Sequence, residues 1–241
     1  MRRMQRTNNL KVHSIFESIS GEGGGLPQGA WCKFIRLQGC NLRCKWCDTE
    51  PSQIQKQGKT MTPKEIEEAC KNHSRVLITG GEPLLQAKEL VRVIRPLLER
   101  GCRVQIETNG SIEIPPPAFS TLPPVRDPIY WVMDYKCPSS GMSDKMFPIK
   151  DLVKQTKNTR MKGDLIWIKW VVADNEDLEF ALDRIEEMVY EHGNITPHLI
   201  SPLDGKGGML QEIIKTTKQR RLSTLNQITF SVQMHKIFNL A

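Results

Sequence analysis

The sequence predicts an α/β fold, specifically a partial, distorted (β/α)6 barrel that is open on one side. Short apolar segments typical of buried strands alternate with helical segments about six times, which favours a parallel sheet with right-handed connections. The active site of such a barrel lies at the carboxyl ends of its strands. Clusters of polar residues follow five predicted strands directly, at residues 40–49, 79–82, 107–110, 134–141 and 201–205. The glycine fingerprint of a Rossmann fold, G-x-G-x-x-G, is absent after the first strand.

The first two predicted strands flank a glycine-rich loop. Residues 11–16 alternate apolar and polar side chains, as a short half-buried strand does. The loop at residues 18–25 contains one acidic residue, Glu22, among glycines that permit close backbone approach. Residues 30–37 are mainly apolar but include Arg36, and a buried arginine requires an anionic partner or hydrogen bonds.

The remaining elements are predicted from short apolar runs and from helical periodicity. Further strands are predicted at residues 75–78, 103–106, 130–133, 165–172, 198–200 and 227–232. A helix begins after the N-cap Thr62, with Pro63 in its first turn, and others span residues 87–100, 176–190 and 209–219. In the second helix, Pro96 predicts a kink or an earlier stop, and Gly101 ends it.

A proline-rich segment at residues 114–128 interrupts the series. Its six prolines preclude a regular helix through most of it. We therefore expect a loop in place of a helix within a single domain that spans residues 1–241, a length at which α/β barrels commonly form one domain.

Composition limits the class of protein. Hydrophobic residues make up 39% of the chain, enough for a sizeable core, and the seven cysteines are an odd number that fits a reducing cytosol. The basic start is followed by no apolar run and no stretch approaches the length of a membrane span, so we expect a soluble, cytoplasmic protein.

The net charge of +7 would suit a nucleic-acid partner. Basic residues gather at residues 154–162 and 215–221, yet no aromatic residues interleave with them. We therefore interpret these segments as solvated surface and expect no nucleic-acid partner and no membrane. A positive site would also favour an anionic small substrate.

Three cysteines carry the strongest chemical signal. Cys40, Cys44 and Cys47 stand in the spacing C-x3-C-x2-C. Clustered thiolates are soft ligands that suit zinc or an iron–sulfur centre. Four cysteines normally close a cubane cluster, so three would leave one metal position open for chemistry.

The three cysteines allow two other interpretations. A zinc knuckle needs a fourth ligand, and the candidates His13, His73 and Cys32 lie at no standard zinc-finger spacing. A purely structural trio is disfavoured because short polar loops do not bury thiols.

The cysteine spacing resembles the motif of radical S-adenosylmethionine (SAM) enzymes. In that superfamily the three cysteines hold a [4Fe–4S] cluster whose fourth iron binds SAM, and an electron from the cluster cleaves SAM to a 5′-deoxyadenosyl radical. Residues 79–83, Thr-Gly-Gly-Glu-Pro, resemble the GGEP motif of the same enzymes, in which the glycine segment contacts SAM. The order of the two motifs, each after a predicted strand, favours this interpretation over a simple strand-to-helix turn.

A closer resemblance is to the 7-carboxy-7-deazaguanine synthase (QueE) family. It covers ordered motifs from about Phe16 to Lys236: Gly-Glu-Gly at 21–23, Phe-Ile-Arg-Leu at 34–37, Cys-Asp-Thr at 47–49, GGEP, Glu-Thr-Asn-Gly at 107–110 and Gln-x-His-Lys at 233–236. The resemblance implies conversion of 6-carboxy-5,6,7,8-tetrahydropterin to 7-carboxy-7-deazaguanine with loss of ammonia, in queuosine and archaeosine biosynthesis. It also implies that SAM is regenerated and that Mg2+ assists.

The resemblance implies a role for individual residues. Cys40, Cys44 and Cys47 would ligate the cluster, and the Thr49 hydroxyl would bind Mg2+, a hard cation that prefers oxygen ligands. The residues implied at the SAM site are Trp46, Asp48, Gly80, Gly81, Glu82, Asp134, Tyr135, Lys136 and Ser201. Those implied in substrate binding are Ile19, Ser20, Gly21, Glu22, Arg36 and Thr79. Of these, Arg36 would clamp the substrate carboxylate through two hydrogen bonds.

The chain departs from the common family pattern at two sites. Ser20 stands where many relatives have glutamine before Gly-Glu-Gly. Asp134 and Tyr135 stand where many have Ser-Pro before the shared Lys136.

Two further functions remain open at this point. An activase that installs a glycyl radical on a partner protein would share C-x3-C-x2-C and GGEP but would bind a protein rather than a pterin. A non-enzymatic metal-binding or nucleic-acid-binding module would leave GGEP and residues 107–110 unexplained. The family resemblance also implies an electron donor such as flavodoxin or ferredoxin, and a homodimer that covers open sheet edges.

Overall fold

The computed structural model describes residues 9–115, 128–161, 163–191, 193, 196–205, 207–221 and 227–238. The described strands are β1 (Leu10–Ile19), β2 (Trp31–Leu37), β3 (Lys59–Met61), β4 (Arg75–Gly80), β5 (Arg103–Thr108), β6 (Tyr130–Asp134), β7 (Leu165–Val172), β8 (His198–Pro202) and β9 (Ile228–Phe230). The described α-helices are α1 (Pro63–Ala69), α2 (Ala87–Glu99), α3 (Ile149–Met161), α4 (Asn175–Glu186), α5 (Gly207–Gln219) and α6 (Met234–Ile237). Most of the predicted proline-rich loop, residues 116–127, lies outside these ranges.

The strands form one sheet in the order β3-β1-β2-β4-β5-β6-β7-β8-β9. Every neighbouring pair from β2 to β9 is parallel, whereas β1 runs antiparallel to β2 and β3. The two outer strands, β3 and β9, are not paired with each other. The sheet is therefore not closed, and the predicted partial barrel is confirmed.

The core lies between the parallel strands and the helices. In α2, Leu90, Val93, Ile94 and Leu97 are fully buried on one face, as their spacing of three and four residues predicts. Burial of each such side chain contributes about 1.5–3 kcal/mol. In the part of the chain that the structure describes, no helix is long and apolar enough to span a membrane.

The helix ends follow the predicted signals except at Pro96. Thr62 caps α1 in a reciprocal capping box with Glu65. Of the two outcomes predicted for Pro96, a kink or an earlier stop, the earlier stop is wrong, because the helix continues to Glu99. Gly101, at φ +79°, then ends α2, and its N–H donates to Leu98 O over 2.8 Å, as in a Schellman motif.

Three elements were not predicted: β3, α3 and the four-residue helix α6. The strand β3 is only three residues long and mostly exposed, so it carries no apolar pattern. The helix α3 buries polar side chains, including Gln155, whose Oε1 accepts a hydrogen bond of 2.7 Å from Ile114 N. Because half of its buried positions are polar, its amphipathic period is hidden in the sequence. The basic residues Lys154, Lys157 and Arg160 of this helix are exposed, as expected of a solvated surface.

The glycine-rich loop enters the barrel from the amino ends of the parallel strands. Ile19 pairs with Trp31, the first residue of β2, so the loop between them starts at that end. A Cβ atom on Gly25 would lie 2.0 Å from the Tyr130 ring, which leaves room for glycine alone. Gln105 Oε1 accepts a hydrogen bond of 2.9 Å from Leu26 N and fixes the loop inside the barrel. The loop therefore extends into the barrel interior from the amino ends of the parallel strands.

Candidate active site

A cavity of about 190 Å³ lies in the interior of the barrel. It brings together side chains from the carboxyl ends of the strands and from the glycine-rich loop. The predicted site residues that line it are Ile19, Gly21, Glu22, Arg36, Cys40, Cys44, Trp46, Cys47, Asp48, Thr49, Thr79, Gly80, Gly81, Asp134 and Lys136.

The three cysteines of the 40–47 loop all line this cavity as free, partly buried thiols. Cys40 Sγ accepts hydrogen bonds from Leu42 N at 3.4 Å and from Asn109 Nδ2 at 3.6 Å. Burial raises the pKa of Cys44, and Asp134 and the other two thiols add to this, while Lys136 opposes it. N–H donors and a nearby ammonium stabilise thiolate ligands, so these residues fit an iron–sulfur cluster.

No three His, Cys, Asp or Glu side chains of the described residues converge as ligands of one metal ion. A zinc knuckle requires such convergence on a single ion. In a [4Fe–4S] cluster each cysteine binds a different iron, so the thiols surround a larger group. The three thiols line the cavity together, as the ligands of such a cluster would.

Two glycines bring the strand β4 against the cysteine loop. Gly81 N donates to Leu37 O over 3.1 Å, and Glu82 N donates to Gly39 O over 2.8 Å. A Cβ atom on Gly81 would lie 2.2 Å from Gly39 O and 2.9 Å from Cys40 Cβ. Residue 81 must therefore be glycine for the 40–47 loop to keep its position.

Trp46 is held between a lysine and a hydrogen-bond relay. Lys136 Nζ lies 5.1 Å from the centroid of the Trp46 ring. On the other side, Trp46 Nε1 donates to Ser139 Oγ over 3.1 Å, and Ser139 Oγ donates to Asp177 Oδ2 over 2.5 Å. Asp177 is fully buried in the first turn of α4. The relay fixes the orientation of an indole that faces the cavity.

Arg36 lies on the cavity wall formed by β2. Its guanidinium carbon is 5.0 Å from the centroid of the Phe16 ring, and Phe16 stacks on Phe34 at 5.0 Å. Burial lowers the pKa of Arg36, which Asp48 and Glu107 partly offset. Among the described residues, the buried Nε of Arg36 has no hydrogen-bond partner. A partly buried guanidinium with an open donor is suited to an anionic ligand.

Acidic and basic side chains form a network of ion pairs in the cavity. Lys169, on β7, forms ion pairs with Glu22 and, over 3.5 Å, with Asp134. Asp134 Oδ2 also lies 2.8 Å from Lys136 Nζ. Burial would raise the pKa of Asp134, but Lys136 and Lys169 outweigh it and the pKa is lowered. Asp134 is therefore held as a carboxylate between two ammonium groups.

Glu107 is the acidic group of the cavity with a raised pKa. Burial raises its pKa to about 7, the negative charge of Glu22 adds to this, and Lys169 and a hydrogen bond with Thr79 lower it. Glu22 Oε1 accepts a hydrogen bond of 3.1 Å from Gln233 Nε2. Two carboxylates thus face the same part of the cavity, where they can accept hydrogen bonds from a ligand.

Four predicted site residues do not line the cavity. Glu82 is fully buried, and its carboxylate accepts hydrogen bonds from Leu84 N, Thr108 Oγ1 and Asn109 N, which ties GGEP to the residues after β5. The Tyr135 hydroxyl donates to Phe147 O over 2.8 Å, outside the cavity. Ser20 and Ser201 are fully buried, and neither hydroxyl has a hydrogen-bond partner among the described residues.

Several cavity residues were not predicted as site residues. Lys169 interrupts an apolar strand in which Trp167 and Val171 share its face, and a single charge in such a strand was the available signal. Glu107, Asn109, Gln233 and Lys236 belong to motifs that supported the resemblance but were given no role of their own. These additional cavity residues are Glu107, Asn109, Lys169, Gln233 and Lys236.

Comparisons with known proteins agree with this geometry. Residues 34–114 match the radical SAM superfamily. The chain is 35% identical to the 7-carboxy-7-deazaguanine synthase of Methanospirillum hungatei over 98% of this chain and 88% of the relative. It is 36% identical to the 7-carboxy-7-deazaguanine synthase of Clostridium acetobutylicum over 95% and 96%, respectively. The crystal structure of QueE from Escherichia coli superposes with a TM-score of 0.64 at 21% identity, covering 96% of this chain and 100% of that chain.

Proposed function

Because the chain belongs to the 7-carboxy-7-deazaguanine synthase family of the radical SAM superfamily, we infer that it converts 6-carboxy-5,6,7,8-tetrahydropterin to 7-carboxy-7-deazaguanine. The reaction releases ammonia, which makes the protein a carbon–nitrogen lyase of queuosine and 7-deazapurine biosynthesis. The observation that carries this function is that one cavity joins the three thiols to Arg36 and to two carboxylates. The alternative of a glycyl-radical activase is not favoured, since the relatives are synthases over almost their full length.

The cysteine side of the cavity supports cluster and SAM binding. When bound, a [4Fe–4S] cluster and SAM supply the carbon-centred radical that starts the reaction. Cys40, Cys44 and Cys47 would hold the cluster, and Gly80 and Gly81, which line the cavity beside them, would face SAM. Trp46, Asp48, Asp134 and Lys136 flank SAM, with the Lys136 ammonium near Cys44 suited to a carboxylate.

The opposite side supports pterin binding. The Arg36 guanidinium, with its open Nε donor, holds the substrate carboxylate. Glu22 accepts hydrogen bonds from the ring, whose amino and N–H groups are donors, and Ile19, Gly21 and Thr79 line the same wall. Ser20, Ser201 and Glu82 do not line the cavity, and the Glu82 carboxylate acts on the site through its hydrogen bonds with Thr108 and Asn109.

Thr49 supports a Mg2+ site at the edge of the cavity. Its hydroxyl lies 4.0 Å from Cys47 Sγ and 3.4 Å from Asp48 Oδ1. A hydroxyl beside a carboxylate supplies the oxygen ligands that Mg2+ prefers, and the remaining positions stay open to water or substrate.

The partners follow from the same reasoning. A flavodoxin or a ferredoxin supplies the electron, and a homodimer in the cytoplasm covers sheet edges such as β3 and β9, whose outer sides are unpaired in the described sheet. Light scattering on the purified protein tests the dimer, and a monomer at micromolar concentration would exclude it.

The function is tested by anaerobic reconstitution with iron and sulfide, followed by SAM, reductant and carboxytetrahydropterin. We expect a product lighter than the substrate by the mass of ammonia, and SAM that is not consumed in proportion. Deoxyadenosine without pterin turnover would instead favour an activase.

Matched cysteine variants complete the test. Cys44→Ala is expected to lose the cluster and the activity, because it removes one of three thiolates. Cys70→Ala removes a buried thiol outside the cavity and is expected to keep both. If Cys44→Ala retained its iron and its turnover, the cluster assignment would be wrong.

A further inference from the structure

Lys169 is a buried charge in an otherwise apolar strand. It is 8% exposed, and its neighbours on β7 are apolar and buried: Ile168, Trp170, Val171 and Val172. A buried ammonium costs several kcal/mol unless carboxylates or hydrogen bonds compensate it. An apolar side chain at position 169 would pack in the core without this cost. We therefore expect the Lys169 ammonium to have a role in the cavity.

Three carboxylates from three different segments face this ammonium. Glu22 comes from the glycine-rich loop, Glu107 from β5 and Asp134 from β6, and each raises the pKa of Lys169 in opposition to burial. Asp134 and Lys169 are paired in register across β6 and β7. The Lys169 ammonium therefore lies where the glycine-rich loop, which enters the barrel at the amino ends of the strands, meets the residues at their carboxyl ends.

Glu22 depends on Lys169 more than Asp134 does. Asp134 has a second cation, Lys136, at 2.8 Å. Glu22 has Lys169 on Oε2 and the neutral amide of Gln233 on Oε1, and it lies near the like charge of Glu107. Without Lys169, the buried carboxylates of Glu22 and Glu107 would face each other and no cation would hold Glu22 in place.

We propose that Lys169 is a positioning residue that holds the Glu22 carboxylate in place, directed at the pterin, and ties it to Asp134 on the SAM side of the cavity. This inference rests on the proposed function. An ionised carboxylate has about four acceptor sites, so Lys169 and Gln233 leave acceptors on Glu22 for the substrate. Lys169 acts through Glu22, and the single ammonium connects the half of the cavity that binds the pterin to the half that binds SAM.

The test is pterin binding to the reconstituted, unreduced enzyme, measured by calorimetry. Lys169→Met is expected to raise the Kd of carboxytetrahydropterin by roughly 30-fold or more, the effect of leaving a buried charge unpaired. The Kd of SAM is expected to change by less than about threefold, because Asp134 keeps Lys136. Unchanged pterin binding in a variant with normal iron content would overturn the proposal.

A double-mutant cycle separates positioning from direct contact. If Lys169 acts through Glu22, then Lys169→Met adds little in a Glu22→Gln background, and the two effects are strongly non-additive. Additive losses would show that Lys169 contacts the substrate itself, which contradicts the proposed role. Should Lys169→Met fail to fold, Glu22→Gln and the double variant, which removes both charges, are compared directly, and equal pterin affinity is the expected result.

Lys33→Met serves as the matched control. Lys33 lies on β2 and pairs with Glu17 at 3.2 Å, outside the cavity. It is expected to leave both affinities unchanged. If the wild-type protein itself binds no pterin, the proposed function fails, whereas normal wild-type binding with an unaffected Lys169→Met variant fails only this inference.

Discussion

At the scale of single residues, the cavity combines side chains that react or bind with side chains that orient them. Trp46 illustrates the second kind, because its ring position depends on Ser139 and on Asp177, which is buried at the start of α4. Asp177 also accepts hydrogen bonds from Ser139 N and Ala173 N, both at 2.9 Å. The start of α4 thus fixes the orientation of the Trp46 indole, which belongs to the cysteine loop.

Ser139→Ala tests this relay. The substitution removes the only link between Trp46 and Asp177 that passes through a side chain in the described residues, while Asp177 keeps its two backbone donors. We expect SAM affinity to fall by roughly three- to tenfold, the effect of one hydrogen bond of about 0.5–1.5 kcal/mol. The tryptophan fluorescence spectrum should shift, and Ser139→Thr should restore both properties.

The neighbouring serine provides the control for that prediction. Ser140 Oγ donates to Cys137 O over 2.6 Å, whereas the Trp46 indole donates to Ser139. Equal loss of SAM affinity in Ser140→Ala would assign the effect to the loop as a whole and not to the indole.

At the scale of elements, the site depends on close contacts between neighbouring loops. The GGEP segment after β4 packs on the cysteine loop after β2, and the carboxylate of Glu82 fixes the residues after β5. Three parallel strands that are neighbours in the sheet, β2, β4 and β5, are thereby joined at their carboxyl ends by hydrogen bonds from the segment at residues 81–82. The cysteine loop holds its shape only while these contacts remain.

Gly81→Ala is the element-scale prediction. The added Cβ would overlap Gly39 O and press on Cys40 Cβ, so the cysteine loop must move. We expect a marked loss of iron content and of SAM binding, read from iron analysis and cluster absorbance. Gly208→Ala, in α5, meets no atom within 4 Å and should leave both unchanged. Normal cluster loading in Gly81→Ala would contradict the close contact.

At the scale of the whole molecule, one buried histidine links stability to pH. His198 is fully buried, and its Nδ1 accepts a hydrogen bond of 3.2 Å from Trp170 Nε1. Burial lowers its pKa from 6.5 to about 3. In the unfolded chain the pKa returns to its ordinary value, so below about pH 6.5 the unfolded state binds a proton that the folded state does not.

The free energy of unfolding should therefore fall as the pH drops below about 6.5, by about 1.4 kcal/mol per pH unit from this group, down to about pH 3. Guanidinium unfolding of the cluster-free protein at several pH values measures this slope. His198→Gln keeps an acceptor for Trp170 but does not titrate, so its slope should be shallower. Identical slopes in the two proteins would contradict a neutral buried His198.

The features that the sequence predicts correctly are those that depend on a few neighbouring residues. The parallel strands, the caps at Thr62 and Gly101 and the position of the polar clusters all depend on neighbouring residues, and all are found. The helix α3 was missed because it buries glutamine and threonine, which hide its period. The stop at Pro96 was wrong because the helix tolerates the lost hydrogen bond in its last turn.

By itself, the sequence determined the fold class, the family resemblance and most residues of the candidate site, because a strand, a cap or a C-x3-C-x2-C spacing is set over a few neighbouring positions. Only the tertiary structure decided which way the side chains face. It buries Glu82 and Tyr135 outside the cavity, and it places Glu22 in the cavity although the glycine-rich loop starts at the amino ends of the strands. It also set Lys169 among carboxylates more than thirty positions away in the sequence. Burial and charge pairing are properties of the assembled sheet, and no local pattern contains them.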